Sequence, residues 1–238
     1  MKIGVLVPFT NTTLEKELIR MCPSNASLHF TRMGGYSLED IPGDDQMFAM
    51  GEADISEPLR LITAISPNVI LYGCTSATLS HGLNFDSSLK STITSASGVK
   101  TITAAGALVS ALNTLGVRKV GFVSPYVAEL NDLACKFLSE ACFEVVSRAE
   151  PSRPLKAVEQ GALGEDKVYE LAIKANSAEA EAIVISCTDI QTLDIIKKLE
   201  KEIGKPVISS NQSMMFSLAQ MFSIPKSCNW AGSLFNKL

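Results

Sequence analysis

Short apolar runs alternate with amphipathic stretches along the whole chain. The apolar runs predict strands at KIGVLVP, SLHFTRM, NVILYGC, GVKTIT, KVGFVSP, FEVVSRAE, AIVISC and KPVISS. Between them, stretches such as TTLEKELIRM, AAGALVSALNTLG and TLDIIKKLEKEIG carry apolar residues at helical spacing. Strands that are apolar on both faces and alternate with helices are typical of parallel sheets covered by helices. The pattern therefore predicts an α/β fold.

The order of these elements repeats. KIGVLVPF (2–9) is similar to KVGFVSPY (119–126), and VILYGCTSATL (69–79) is similar to IVISCTDIQTL (183–193). A third pair follows in the same order, at 98–116 and 204–222. Three similar segments in one order indicate two copies of a single α/β unit. We expect two pseudo-symmetric, flavodoxin-like halves with a cleft between them. Residues 1–104 with 209–238 would form the first half, and residues 105–208 the second.

Composition narrows the class of protein. Of the 238 residues, 46% are hydrophobic and 19% are charged, which is typical of a globular protein. The net charge of −4 and the lack of a Lys/Arg-rich run argue against binding to nucleic acid. The apolar runs are too short for a membrane span, and the first of them is too short for a signal peptide. We therefore expect a cytoplasmic protein.

The six cysteines show no spacing typical of a zinc site, and neither histidine lies near one at ligand spacing. We therefore expect no metal, and a disulfide framework is not expected in a cytoplasmic chain. Cys22, Cys135, Cys142 and Cys228 are interpreted as small buried hydrophobic residues. The pair Met47 and Met50 in DDQMFAMGEADISE (44–57) is interpreted as part of a loop, either over the cleft or on the plain surface.

The other two cysteines, Cys74 and Cys187, lie at the ends of equivalent predicted strands. Ligands of an open parallel sheet bind at the carboxyl ends of its strands. If the halves face each other, the two thiols meet across one cleft, where a thiolate and a thiol form a base–acid pair. Either thiol can also act as a nucleophile. Thr75, Ser76 and Thr188 add hydroxyl and N–H donors that can bind a carboxylate without an arginine. Asp189 could orient Cys187 or cap the following helix, and we favour the cap.

These residues resemble the aspartate/glutamate racemase superfamily. SCTD (186–189) is similar to its Cys-Thr-Glu motif, but GCTSAT (73–78) lacks the histidine of the amino-acid racemases. VPFTNTTLEKE (7–17), VSPYVAELND (123–132) and TLDIIKKLEKEIGKPVISS (192–210) are similar to segments of maleate cis–trans isomerase or arylmalonate decarboxylase. The resemblance covers essentially the whole chain.

The resemblance implies a cofactor-independent isomerase that acts on a small dicarboxylate. Cys74 would add to the double bond of maleate, and Cys187 would exchange a proton at the neighbouring carbon. The carboxylates would be bound by Asn11, Tyr126, Thr75, Ser76 and Thr188. The resemblance also implies a homodimer.

Other functions stay open at this point. A racemase of a small amino or hydroxy acid would use the same two thiols. In the decarboxylase pattern glycine stands at the first cysteine position, so Cys74 counts against decarboxylation. A two-lobed small-molecule binding protein would share the fold but needs no paired thiols. Two departures leave the substrate open to another small carboxylate. SRPLKAVE (152–159) lacks the second substrate-binding Asn of the isomerases, and GCTS (73–76) replaces their Ala-Cys-Leu-Val.

Overall fold

The computed structural model describes residues 1–224 and 228–238. These residues contain strands β1 (Lys2–Pro8), β2 (Ser27–Met33), β3 (Val69–Tyr72), β4 (Thr101–Thr103), β5 (Lys119–Val123), β6 (Glu144–Ala149), β7 (Ala182–Ile185) and β8 (Val207–Ser209). Two parallel sheets result, with the strand orders β2-β1-β3-β4 and β6-β5-β7-β8. The second order is the first one shifted by four strands. The predicted α/β fold with two pseudo-symmetric halves is confirmed.

Helices connect the strands and cover both sheets. They are α1 (Leu14–Met21), α2 (Asp44–Glu52), α3 (Ser56–Thr63), α4 (Thr75–Leu79), α5 (Leu83–Ser97), α6 (Ala104–Leu115), α7 (Ala128–Glu140), α8 (Ala157–Gly161), α9 (Glu165–Lys174), α10 (Leu193–Ile203) and α11 (Ser210–Met221), with 3-10 turns at Asn229–Ala231 and Ser233–Lys237. Within the described residues, none of these helices is long and apolar enough to span a bilayer.

The central strands explain why the two cysteines are equivalent. β3 lies beside β1, and β7 lies beside β5 in the same relative place. All four residues of β3 and all four residues of β7 are buried, as expected for strands covered on both faces. Each cysteine is the second residue after its strand, since Gly73 precedes Cys74 and Ser186 precedes Cys187. Both thiols therefore leave a sheet at its carboxyl edge.

The last helix joins the two halves. α11 follows β8 in the second sheet, yet it packs along α6 and against α1 and β4. These contacts fit the return of the chain to the first half. The division at residues 104/105 and 208/209 stays a prediction.

The interpretation of residues 44–57 as a loop is wrong, because Asp44–Glu52 form α2. The Gln46 side chain accepts a hydrogen bond of 3.1 Å from the Gly43 N–H, which closes the start of this helix. Met47 and Met50 lie one turn apart and are buried. The helical spacing of apolar residues also failed to predict α4, α5 and α8. α4 and α8 have only five residues each, and α5 carries polar and β-branched residues around much of its surface.

Candidate active site

A cavity lies at the carboxyl ends of both pairs of central strands, with a volume of about 40 Å³. All seven residues predicted from the sequence line it, namely Asn11, Cys74, Thr75, Ser76, Tyr126, Cys187 and Thr188. The wall also includes residues that the sequence reasoning did not assign to the site, among them Tyr36, Met47, Met50, Ala157, Gln160 and Asp189. The structure thus brings the two Cys-Thr segments together in one small space.

Cys74 lies at the start of α4 in an extended conformation. Its Sγ is 3.8 Å from Ser76 Oγ. Burial raises the pKa of the thiol, while hydrogen bonds from the Ala77 N–H, the Ser76 hydroxyl and the Ser76 N–H lower it. These donors stabilise the thiolate without a cationic side chain.

Cys187 has a backbone φ of 138°, which residues other than glycine rarely adopt. Its N–H donates to Ser210 Oγ at 3.2 Å, and its Sγ lies 3.3 Å from the Asp189 N–H and 3.8 Å from Gln160 Oε1. Burial raises the pKa of this thiol most, and the negative charge of Asp189 raises it further. These two effects favour the protonated thiol at Cys187. The unusual backbone conformation of Cys187 is itself typical of functional sites.

Thr188 links the two cysteine segments. Its Oγ1 donates to the carbonyl oxygen of Gly73 at 2.8 Å and accepts a hydrogen bond of 2.9 Å from Asn11 Nδ2. The other end of the Asn11 amide accepts from the N–H groups of Thr13 and Leu14, at 3.0 and 2.8 Å. Asn11 is therefore held at the start of α1 and keeps one Nδ2 hydrogen for a ligand.

The hydroxyl of Thr75 also has a partner within the protein, since it donates to Ser210 Oγ at 2.9 Å. Because Ser210 Oγ also accepts from the Cys187 N–H, this serine connects the residue after one cysteine to the backbone of the other. The hydroxyl hydrogens of both threonines are thus used inside the fold. Their backbone N–H groups are the better candidates for binding a carboxylate.

Tyr126 is a buried phenol at the second sheet. Its hydroxyl lies 3.3 Å from Ser186 Oγ, and its N–H donates to Ser124 Oγ at 3.2 Å. Burial raises the pKa of Tyr126 far above its ordinary value, and the neighbouring Cys187 adds to the shift. The phenol therefore stays neutral and can donate a hydrogen bond to an anion.

The interpretation of Asp189 as a cap of α10 is wrong. Its Oδ1 accepts hydrogen bonds from the N–H groups of Thr12 and Thr13, at 2.8 and 3.1 Å, and so caps the entry to α1 in the other half. The first N–H groups of α10 are bound instead by the buried carboxyl of Glu17 in α1. Each half therefore supplies a helix cap to the other. Burial raises the pKa of Asp189 to about 6.

The cavity has few charges. Among the described residues that line it, none is lysine or arginine, and Asp189 is the one acidic side chain. The same part of the chain shows no group of three or more His, Cys, Asp or Glu side chains that could hold a metal ion. An anionic ligand here would be bound by neutral donors.

The profile of the arylmalonate decarboxylase (Amdase) family matches residues 3–235. The chain belongs to this family. Within it, the chain is 28% identical over 246 residues to the maleate isomerase of Nocardia farcinica, which covers 99% of this chain and 96% of the relative. It is 29% identical over 166 residues to the arylmalonate decarboxylase of Bordetella bronchiseptica, which covers 68% of each chain.

Solved structures of the arylmalonate decarboxylase family share the fold. A cysteine-to-alanine variant of the maleate isomerase Iso from Pseudomonas putida S16, with maleate, superimposes with a TM-score of 0.90 at 21% identity, over 100% of this chain and 98% of that chain. A cysteine-to-serine mutant of the Nocardia farcinica maleate cis-trans isomerase, with a covalently bound succinylcysteine intermediate, gives 0.89 at 24% identity over the same shares. The protein thus has the architecture of this enzyme family over its full length.

Proposed function

We propose that the protein is a cofactor-independent isomerase of a small dicarboxylate, which converts maleate into fumarate. The main support is a pair of buried thiols in different electrostatic environments on the wall of one small cavity. Relatives named maleate isomerase match nearly the whole chain, which favours this activity over the others in the family.

The reaction needs only the two thiols. The Cys74 thiolate forms a C–S bond to one alkene carbon, and the π electrons move to the neighbouring carbon, which takes the proton of Cys187. The former double bond is now a single bond and rotates. The Cys187 thiolate then removes a proton from that carbon, the double bond re-forms, and the C–S bond breaks to release fumarate. Both cysteines return to their starting states.

The surroundings of the thiols support this division of roles. Cys74 is the better nucleophile because N–H groups of α4 stabilise its thiolate. Cys187 is the better acid because burial and the charge of Asp189 both favour its thiol form. Burial raises the pKa of both thiols, but the other large influence differs: hydrogen bonds lower the pKa of Cys74, whereas the charge of Asp189 raises that of Cys187.

Neutral donors on both sides of the cavity would hold the two carboxylates. We assign this role to the free Nδ2 hydrogen of Asn11, the Tyr126 hydroxyl and the backbone N–H groups of Thr75 and Thr188. The Ser76 N–H instead stabilises the Cys74 thiolate. Such donors are worth more in a small buried cavity than in water, because the local dielectric is low.

Proton NMR with maleate in deuterated buffer tests the proposal. Wild-type protein should produce the fumarate signal, and Cys74→Ser and Cys187→Ser should each lose it. Cys142→Ser is the matched control. The interpretation of Cys142 as a buried residue is wrong, because it is exposed, and it lies outside the cavity. The absence of fumarate with the wild-type protein would reject maleate as the substrate.

A racemase of a small chiral acid is the second candidate, because two thiols on one cavity also suit proton removal on one face and return on the other. The same deuterated buffer distinguishes the two activities. A racemase would exchange deuterium into the α-carbon of a chiral acid and leave maleate unchanged. Release of carbon dioxide from an arylmalonate would instead indicate the third activity, decarboxylation.

A further inference from the structure

Gln160 faces the cavity from α8, one helical turn after Ala157, and only 8% of it is exposed. In the first half, Met47 and Met50 on α2 line the cavity with the same spacing. One wall is thus built of two thioethers, and the other carries a carboxamide. The two halves therefore differ at α2 and α8, although their Cys-Thr segments are similar.

The contacts of Gln160 orient its amide group. The Cys187 thiol donates to Oε1 at a separation of 3.8 Å, so the Nε2 group occupies the other end of the amide. Within the described part of the chain, no group accepts a hydrogen bond from Nε2. Most buried amide donors in proteins have a hydrogen-bond partner. We therefore expect the Nε2 group, which faces the cavity, to donate a hydrogen bond to an acceptor on the ligand.

α8 is held firmly against the other half of the protein. Its first turn is closed by Glu159, which accepts from the Lys156 N–H at 2.8 Å. The Lys156 ammonium forms a 2.5 Å ion pair with Glu39 of the first half. The next residue after Gln160 is Gly161, and a Cβ there would come within 2.7 Å of Thr12 Oγ1. These contacts place the backbone of α8 against the first half, and the Cys187 thiol is the group that orients the Gln160 amide.

We infer that Gln160 recognises the second carboxylate of the substrate and selects dicarboxylates over monocarboxylates. The inference rests on the proposed function and extends it to a residue outside the Cys-Thr segments. Because the described wall of the cavity carries no lysine or arginine, a second carboxylate depends on N–H and O–H donors for its binding. A site built around such a donor rejects an analogue that lacks the acceptor, since the donor is then left unpaired.

Calorimetric titration with succinate and butyrate tests the inference without turnover. The two ligands are similar in length, but butyrate has a methyl group in place of the second carboxylate. Wild-type protein should bind succinate more tightly. Gln160→Met keeps the size of the side chain and removes the donor, so it should weaken succinate binding about tenfold and change butyrate binding less than about twofold. Gln160→Glu adds a negative charge and should weaken succinate binding further.

Gln220→Met is the matched control, because Gln220 is exposed on α11 and outside the cavity, and it should change neither affinity. Equal weakening of both ligands in Gln160→Met, or of neither, would overturn the inference. So would a wild-type protein that does not prefer succinate. The preference for succinate could depend on Gln160 even though maleate gives no fumarate. That result would support the recognition of dicarboxylates and reject the proposed isomerisation.

Discussion

The Thr188 hydroxyl donates a hydrogen bond of 2.8 Å to the carbonyl oxygen of Gly73. The residue that follows one cysteine is thereby tied to the residue that precedes the other. The same hydroxyl accepts from Asn11 Nδ2, so three strand ends from two sheets meet at one oxygen atom. This contact therefore ties the two cysteine segments to each other across the cavity.

Replacing Thr188 tests the importance of that contact. Thr188→Val keeps the shape of the side chain but leaves the Gly73 carbonyl and the Asn11 amide without a buried partner. We expect the free energy of unfolding to fall by about 1–3 kcal/mol and kcat to fall by about tenfold or more. Thr188→Ser keeps the hydroxyl and should recover most of both in denaturant titrations and turnover assays. Unchanged kcat in Thr188→Val would show that the contact does not position the thiols.

The pKa of Asp189 predicts a dependence of stability on pH. Burial raises this pKa from 3.8 to about 6, so the folded state binds the proton more tightly than the unfolded state. Its contribution to stability is complete below about pH 4 and is lost as the pH rises to about 6. The amide oxygen of Asp189→Asn can still accept from Thr12 and Thr13 but does not titrate.

The stability of Asp189→Asn relative to wild type should therefore increase by about 2–3 kcal/mol between about pH 4 and pH 7 and then level off. Denaturant titrations of both proteins across this range measure the difference. A difference that is constant with pH, or that decreases, would contradict the raised pKa.

Close packing at Gly161 makes a third prediction. A Cβ at this position would lie 2.7 Å from Thr12 Oγ1 and 2.9 Å from Asp189 Oδ1, so Gly161→Ala must displace either α8 or the Asp189 carboxyl that lines the cavity. We expect kcat/KM to fall about tenfold because the residues of the site no longer keep their productive geometry. Gly164→Ala, three residues on, is the matched control, since a Cβ there meets nothing within 4 Å and φ is −65°. Equal kinetics in the two variants would show that α8 has freedom to move.

Much of the fold follows from local sequence. The strands are short apolar runs between polar turns, and each one contains a strand of the structure. The positions of Cys74 and Cys187 follow from the repeat and from the rule that ligands bind at the carboxyl ends of parallel strands. These features depend on short segments of the chain, so they can be predicted from a single sequence.

The features that were wrong or missed depend on how the halves pack together. Asp189 caps α1 and Glu17 caps α10 because the halves bring these residues together, although about 175 positions separate donor and acceptor. Nothing in the local sequence identifies those partners. Gln160 was missed for a similar reason, because α8 is only five residues long and shows no periodicity that would predict its face.

A covalent adduct on Cys74 would demonstrate that this thiol is the nucleophile. In Cys187→Ser the thiolate that removes the proton for elimination is gone. Incubation with maleate should therefore leave a succinyl group on Cys74, with the added proton supplied by water, and peptide mass mapping would locate it. Cys74→Ser should carry no adduct, and Cys142→Ser should turn over like the wild-type protein. A succinyl adduct confined to Cys74 is the result that this account predicts. The absence of an adduct at Cys74, or fumarate formation by Cys187→Ser at the wild-type rate, would contradict it.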